Sequence, residues 1–175
     1  MSSLANIVLL PDAGPLITLA YADALDLLFK PDWSVALVDM VLHEVTRNAT
    51  PTSEKLAQWA QDNHLAVVAT KTLLHHQRTE VMAARPRKAH LGELAIQEVM
   101  NGFALSDPPI TGVFLFEDHK IARANFLLPD HCRKVSTRAF LRFLEQKGWV
   151  ASAVDIETRA IQAGRAFSTL RFPPA

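Results

Sequence analysis

Four acidic residues of this chain have sequence neighbourhoods that favour a shared site. Asp12 and Asp118 come just after the uninterrupted apolar runs IVLL and VFLF, which are typical of strands buried on both faces of a parallel sheet. Glu44 and Glu93 lie near the starts of predicted helices at the same rim of that sheet. Because ligands bind outside the carboxyl ends of the strands in open α/β sheets, we expect the four carboxylates to face one crevice.

A divalent cation would account for four carboxylates in one crevice. Carboxylates a few ångströms apart do not all stay ionised unless another group compensates their charge. The set offers oxygen ligands and no histidine or cysteine, which favours Mg²⁺ or Mn²⁺ over zinc. The chemistry that such a site predicts is metal-assisted attack of water on a phosphodiester.

The elements that must position these acids alternate between strand and helix. This rhythm predicts an α/β fold with parallel strands and right-handed crossovers. Asp39 is a natural N-cap after the second strand, Thr137 is the predicted N-cap of a later helix, and Gly148 is its predicted C-cap. The predicted strands span residues 7–10, 34–38, 65–69 (a short buried strand), 113–116 and 134–136. The predicted helices span 16–29 with a break near 22–23, 39–47, 53–60, 91–100, 119–126, 137–148 and 156–163, and residues 101–109 are a predicted loop.

Residues 70–90 interrupt this rhythm and are locally basic. Against the single acid Glu80, the segment contains Lys71, His75, His76, Arg78, Arg85, Arg87 and Lys88. The segment is interpreted as an insertion that handles either RNA or a partner protein, and the sequence leaves both alternatives open.

The composition indicates one domain with a short extension. The chain has 175 residues, of which 49% are hydrophobic, and its 18 basic residues balance its 18 acidic ones. Length and motif placement predict a domain over residues 1–150 and a C-terminal helical extension and tail over 151–175. Cys132 is the only cysteine, which excludes an intrachain disulfide and favours a reducing compartment. With no signal-peptide pattern and no apolar stretch near the roughly 20 residues that span a bilayer, we expect a cytoplasmic protein with no membrane partner.

The motifs around the four acids resemble those of the PIN-domain family of nucleases, of the VapC-like toxin type. The motifs are D-A-G-P-L-I at Asp12, V-L-H-E-V at Glu44, L-G-E-L-A-I at Glu93 and F-E-D-H-K-I-A-R, which contains Asp118. Their order and approximate spacing match over residues 5–148. The resemblance implies a three-layer α/β/α sandwich with a mostly parallel central sheet of about five strands. It also implies a Mg²⁺- or Mn²⁺-dependent endoribonuclease that cleaves single-stranded RNA, with these four acids as its catalytic and metal-binding set. The toxin type further implies a protein antitoxin and a homodimer.

Several neighbouring residues have a competing structural role. Glu117 is a reserve for Asp118 as the ligand, since one of the two adjacent acids should face the crevice. Arg123 could contact phosphate or pair with a nearby acid. The seven histidines are interpreted as non-ligands: His75 and His76 are adjacent and would diverge on a helix, and His43 merely neighbours an acid.

The sequence is also compared with three other functions. A catalytically inactive binding or scaffold module of the same fold is the principal alternative. An aspartyl-phosphate phosphatase is disfavoured, because its second acid would stand where this chain has Gly14. Many relatives carry a hydroxyl residue near the first aspartate, whereas this chain has Ala13 and Gly14. The six glycines form no dinucleotide or P-loop pattern, which argues against a nucleotide-binding protein.

Overall fold

Five parallel strands form the centre of the molecule. The computed structural model describes residues 6–82, 91–117 and 128–166. The strands, in chain order, are β1 (Ile7–Pro11), β2 (Ser34–Val38), β3 (Ala66–Val68), β4 (Thr111–Phe116) and β5 (Arg133–Ser136). They are arranged β3-β2-β1-β4-β5, and every neighbouring pair is parallel. The predicted α/β class and parallel sheet are confirmed.

Helices cover the sheet and complete a three-layer α/β/α sandwich, as expected. Within the described residues they are α1 (Ala13–Tyr21), α2 (Asp39–Thr46), α3 (Ser53–Asp62), α4 (Lys71–Val81), α5 (Leu91–Ala104), α6 (Thr137–Gln146) and α7 (Ala153–Gln162), with a 3₁₀ helix at Leu25–Phe29. Asp23 has a φ of 53°, which separates α1 from the 3₁₀ helix at the predicted break. None of these helices is both long enough and apolar enough to cross a membrane.

The core is built around β1 and β4. Leu9, Leu10, Phe114 and Leu115 are each 0% exposed, so successive side chains on both strands are buried on opposite faces of the sheet. This is why both strands have uninterrupted apolar sequences. The helix α7, which lies in the predicted C-terminal extension, packs on α1 and α6 and buries Ala153, Ile156 and Ala160.

The strand β3 differs from the prediction because it lies at the edge of the sheet. Residues 65–69 were expected to form a buried strand, but Ala66 is exposed and Val67 is 48% exposed. An edge strand has a neighbour on one side only, and apolar composition does not distinguish it from a central strand.

Residues 71–81 of the basic segment, for which no helix or strand was predicted, form α4. Its start is held by carboxylates distant in sequence. The hydroxyl of Thr70 donates to Asp39 Oδ1 at 2.7 Å, and the backbone N–H of Lys71 donates to Glu98 Oε1 at 2.8 Å. These long-range bonds stabilise a helix whose apolar pattern is weak, and His76 is its only buried residue.

Several helix boundaries also differ from the predictions. Asp39, the predicted N-cap of α2, is its first helical residue, and the C-cap of α6 is Lys147 rather than Gly148. Helix α5 continues to Ala104, so the predicted loop at 101–109 begins too early. The N-cap of α6 is Ser136, whose Oγ accepts a hydrogen bond from the N–H of Ala139 at 3.1 Å, and Thr137 is the first helical residue. The predicted helix at 119–126 lies outside the described residues.

We expect opposite stability changes from two glycine substitutions that differ only in backbone conformation. Gly148 follows α6 with a φ of +74°, so Gly148→Ala should lower the free energy of unfolding by about 1 kcal/mol. Gly102 lies within α5 with nothing within 4 Å of an added Cβ, so Gly102→Ala should raise it by about 0.5–1 kcal/mol. Urea denaturation measures both, and stabilisation by Gly148→Ala would contradict the left-handed conformation of residue 148.

Candidate functional site

Asp12 lies where β1 ends and α1 begins. Its backbone N–H donates to the carbonyl of Leu115 on β4 at 2.9 Å, which extends the pairing of the two strands by one residue. Its side chain is the N-cap of α1, because Oδ1 accepts a hydrogen bond from the N–H of Ala13 at 2.9 Å. The residue is 8% exposed. A carboxylate at this helix N-terminus is stabilised by the helix dipole and is fixed in orientation.

Gly92 brings the carboxylates of Asp12 and Glu44 together. A Cβ at residue 92 would lie 3.0 Å from Glu44 Oε2 and 3.3 Å from Asp12 Oδ1, so both acids converge on this buried backbone. The N–H of Gly92 also donates a hydrogen bond to the Glu44 side chain. A glycine in the first turn of α5 therefore allows three elements, β1, α2 and α5, to meet through their polar groups.

Glu93 adds a second negative charge beside Glu44. The pKa of Glu44 is raised above its ordinary 4.5, first because burial removes water from the carboxylate and second because of the charge on Glu93. Arg47, at the end of α2, opposes this shift, as does the hydrogen bond from Gly92. Three of the four acids singled out by sequence are therefore neighbours. The fourth, Asp118, lies outside the described residues.

Glu117 is held in a separate polar group. Its carboxylate accepts hydrogen bonds from the hydroxyls of Thr18 at 2.8 Å and Thr137 at 3.2 Å, and Arg165 lies 3.4 Å from its Oε1. A Cβ at residue 14 would lie 2.9 Å from the Cβ of Glu117, so Gly14 permits this close approach of α1 to the end of β4. The side chain of Glu117 is 7% exposed, and Arg165 balances its charge.

The acids that converge at Gly92 offer oxygen atoms alone, the ligand type that a hard divalent cation takes. Asp12, Glu44 and Glu93 would hold Mg²⁺ or Mn²⁺ through oxygen ligands alone. Burial and the charge on Glu93 raise the pKa of Glu44, and a bound cation would lower this pKa by stabilising the ionised carboxylate.

Sequence reasoning missed two cationic residues, one beside the acids at Gly92 and one beside Glu117. Arg47 follows Glu44 by three residues, a spacing that places the two side chains on neighbouring parts of a helix and was available as a signal. Arg165 had no such signal, because it is 147 residues from Thr18, to whose hydroxyl its Nε donates at 3.0 Å.

We expect Glu44→Gln to stabilise the metal-free protein while weakening its binding of Mn²⁺. Because its pKa is raised, the ionised Glu44 side chain lowers the free energy of unfolding. This loss develops as the pH rises from the ordinary value of 4.5 through the raised pKa. At neutral pH and with a chelator present, the variant should have a higher Tm than the wild type, and the difference should disappear below that pH. Its affinity for Mn²⁺ should fall by at least about tenfold. The matched control Glu54→Gln changes an exposed residue of α3 and should change neither quantity. Unchanged Mn²⁺ affinity in Glu44→Gln would exclude Glu44 as a ligand.

We expect Arg165→Met to lower the free energy of unfolding by about 2–3 kcal/mol, because it leaves the buried carboxylate of Glu117 without its cation. Combining it with Glu117→Gln should cost less than the sum of the two single changes. Arg159→Met, at an exposed position of α7, should change the stability by no more than about 0.5 kcal/mol. Strict additivity of the Arg165 and Glu117 variants in urea denaturation would show that the two side chains are not coupled.

Comparison with known proteins identifies no relative of this chain. No family model matches it, and neither does any curated protein or solved structure. The candidate site therefore rests on the placement of its own residues: two carboxylates that converge on Gly92, a third that repels one of them, and an arginine beside the group.

Proposed function

We propose that this protein is a Mg²⁺- or Mn²⁺-dependent endoribonuclease that cleaves single-stranded RNA. The observation that carries the proposal is the convergence of Asp12 and Glu44 on the buried backbone of Gly92, with Glu93 close enough to raise the pKa of Glu44. An oxygen-only ligand set at the carboxyl ends of parallel strands suits a hard cation and a phosphate-bearing substrate.

Each side chain has a distinct role in this proposal. Asp12 is the most rigidly placed metal ligand, because it also caps α1. Glu44 and Glu93 complete the ligand set from two other helices, and Asp118 is the proposed fourth ligand. A bound divalent ion would activate a water molecule for attack on the phosphodiester and neutralise charge on the leaving oxygen. Arg47, which is exposed and whose charge lowers the pKa of Glu44, would contact a substrate phosphate beside the acids.

The biological setting is a further part of the proposal. The resemblance of the four acidic motifs to the PIN-domain family supports a toxin of a toxin–antitoxin pair that acts as a homodimer. Such a toxin needs a protein antitoxin that blocks the acidic crevice. An antitoxin with a basic side chain would complement the charge of Asp12, Glu44 and Glu93.

We expect Asp12→Asn to abolish RNA cleavage without unfolding the protein. An asparagine at position 12 keeps a side-chain oxygen for the N–H of Ala13, so α1 keeps its cap while the site loses a charged ligand. Cleavage of a single-stranded RNA in Mn²⁺ should fall by at least about a hundredfold. Growth arrest on induced expression of the wild type should also be relieved by this change.

The matched control is Asp32→Asn, which changes the same chemical group at an exposed residue with a φ of 60°, a conformation that asparagine tolerates well. This variant should keep full activity. Full activity in Asp12→Asn, with Tm and circular dichroism unchanged, would contradict the nuclease. Binding of RNA without cleavage by the wild type in Mg²⁺ and in Mn²⁺ would indicate the inactive binding module instead.

A further inference from the structure

A second group of potential ligands lies between α2 and α4. It consists of His43 on α2 and of His76 and Glu80 on α4. One potential ligand atom from each residue lies within 4.8 Å of those from the other two. The rings of His43 and His76 are 5.9 Å apart at an angle of 68°, so they meet edge to face.

His76 has a buried nitrogen to which no described residue makes a hydrogen bond. The residue is 3% exposed, and its Nε2 makes no hydrogen bond to the part of the chain that the structure describes. Leaving a buried polar atom unpaired costs free energy, so buried nitrogens are ordinarily hydrogen-bonded or coordinated. This nitrogen lies on the side of the ring that faces Glu80.

Glu80 lies beside that nitrogen without satisfying it. Its Oε1 is 3.1 Å from His76 Nε2, within ion-pair distance, yet the two groups are not aligned for a hydrogen bond. Residues 76 and 80 are four apart on α4, a spacing that places two side chains on one face of a helix. Two ligands of a tetrahedral zinc ion lie about 3.4 Å apart, given metal–ligand distances of about 2.0–2.2 Å. The observed separation is close to that value.

We propose that His43, His76 and Glu80 form a transition-metal site that binds Zn²⁺ in preference to Mg²⁺. Two imidazole nitrogens and one carboxylate are ligands that suit zinc, whereas Mg²⁺ prefers oxygen ligands alone. Three protein ligands leave a fourth position for water. Because the ligands come from two helices, a bound ion would fasten α4 to α2 and would satisfy the buried nitrogen of His76.

This site is distinct from the group at Gly92, although His43 precedes Glu44 in sequence. Adjacent residues on a helix point in directions about 100° apart, since the helix has about 3.6 residues per turn. Glu44 turns toward Gly92 on α5, and the ring of His43 turns toward His76 on α4. The two sites therefore differ in ligands and in position around α2.

The histidines were interpreted from sequence as non-ligands, and the structure brings two of them together. His75 and His76 were judged as a pair on one helix, but the relevant partner is His43, 33 residues earlier on a different helix. One local signal was present, namely a histidine and a glutamate four residues apart in HHQRTE.

Zinc titration of the full chain tests the proposal. The probe is ZnCl₂ alone, added at neutral pH to the Asp12→Asn protein after chelator treatment, so that the acidic group at Gly92 does not compete. Calorimetry should give one Zn²⁺ per chain, and Zn²⁺ should raise the Tm. Co²⁺ in place of Zn²⁺ should give the visible absorption of a tetrahedral site.

Three ligand variants and one neighbour define the site. His43→Gln, His76→Gln and Glu80→Gln should each weaken Zn²⁺ binding by at least about tenfold. His75→Gln, an exposed histidine next to His76, should leave it unchanged. Glu80 has a side chain that is 44% exposed, so Glu80→Gln keeps the test decisive even where a change at the buried His76 prevents folding. Absence of Zn²⁺ binding in this protein, or an equal loss in His75→Gln and Glu80→Gln, would overturn the proposal.

Discussion

The parallel pairing of β1 with β4 is the constraint on which the rest of the structure depends. The pairing runs in register from Ile7 opposite Thr111 to Pro11 opposite Leu115, and the N–H of Asp12 extends it by one residue. Both strands are buried on both faces, so a shift by one residue would exchange the side chains between two apolar layers. The observed register places Asp12 at the carboxyl end of β1, where side chains from α2 and α5 can reach it.

Two acidic groups at this edge of the sheet differ in how their charge is compensated. Glu117 is buried beside two hydroxyls and the guanidinium of Arg165, so its charge is balanced within the protein. Glu44 shares its surroundings with Glu93, and the pKa of Glu44 is raised in spite of Arg47. Residues with perturbed pKa values cluster at functional sites. This contrast supports the group at Gly92, rather than Glu117, as the metal-binding candidate.

Helix α4 shows how polar contacts fix an element with a weak apolar pattern. Asp39 and Glu98 bind the first turn of α4 through Thr70, Lys71 and Thr72. These bonds set the position of the helix against α2 and α5, and His76 becomes buried opposite His43 as a result. The proposed zinc site thus depends on carboxylates that belong to neither proposed metal site.

Sequence by itself determined the elements whose signals are local. Uninterrupted apolar runs predicted the central strands, and an acid directly after the first run predicted the position of Asp12, because burial on both faces removes the need for alternation. Tertiary structure decided what depends on contacts between distant residues. The edge position of β3, the helical state of residues 71–81, the pairing of Glu117 with Arg165 and the meeting of His43 with His76 all follow from such contacts. The sequence pattern indicates which side chains are buried, but the packing of distant segments determines which polar groups come into contact.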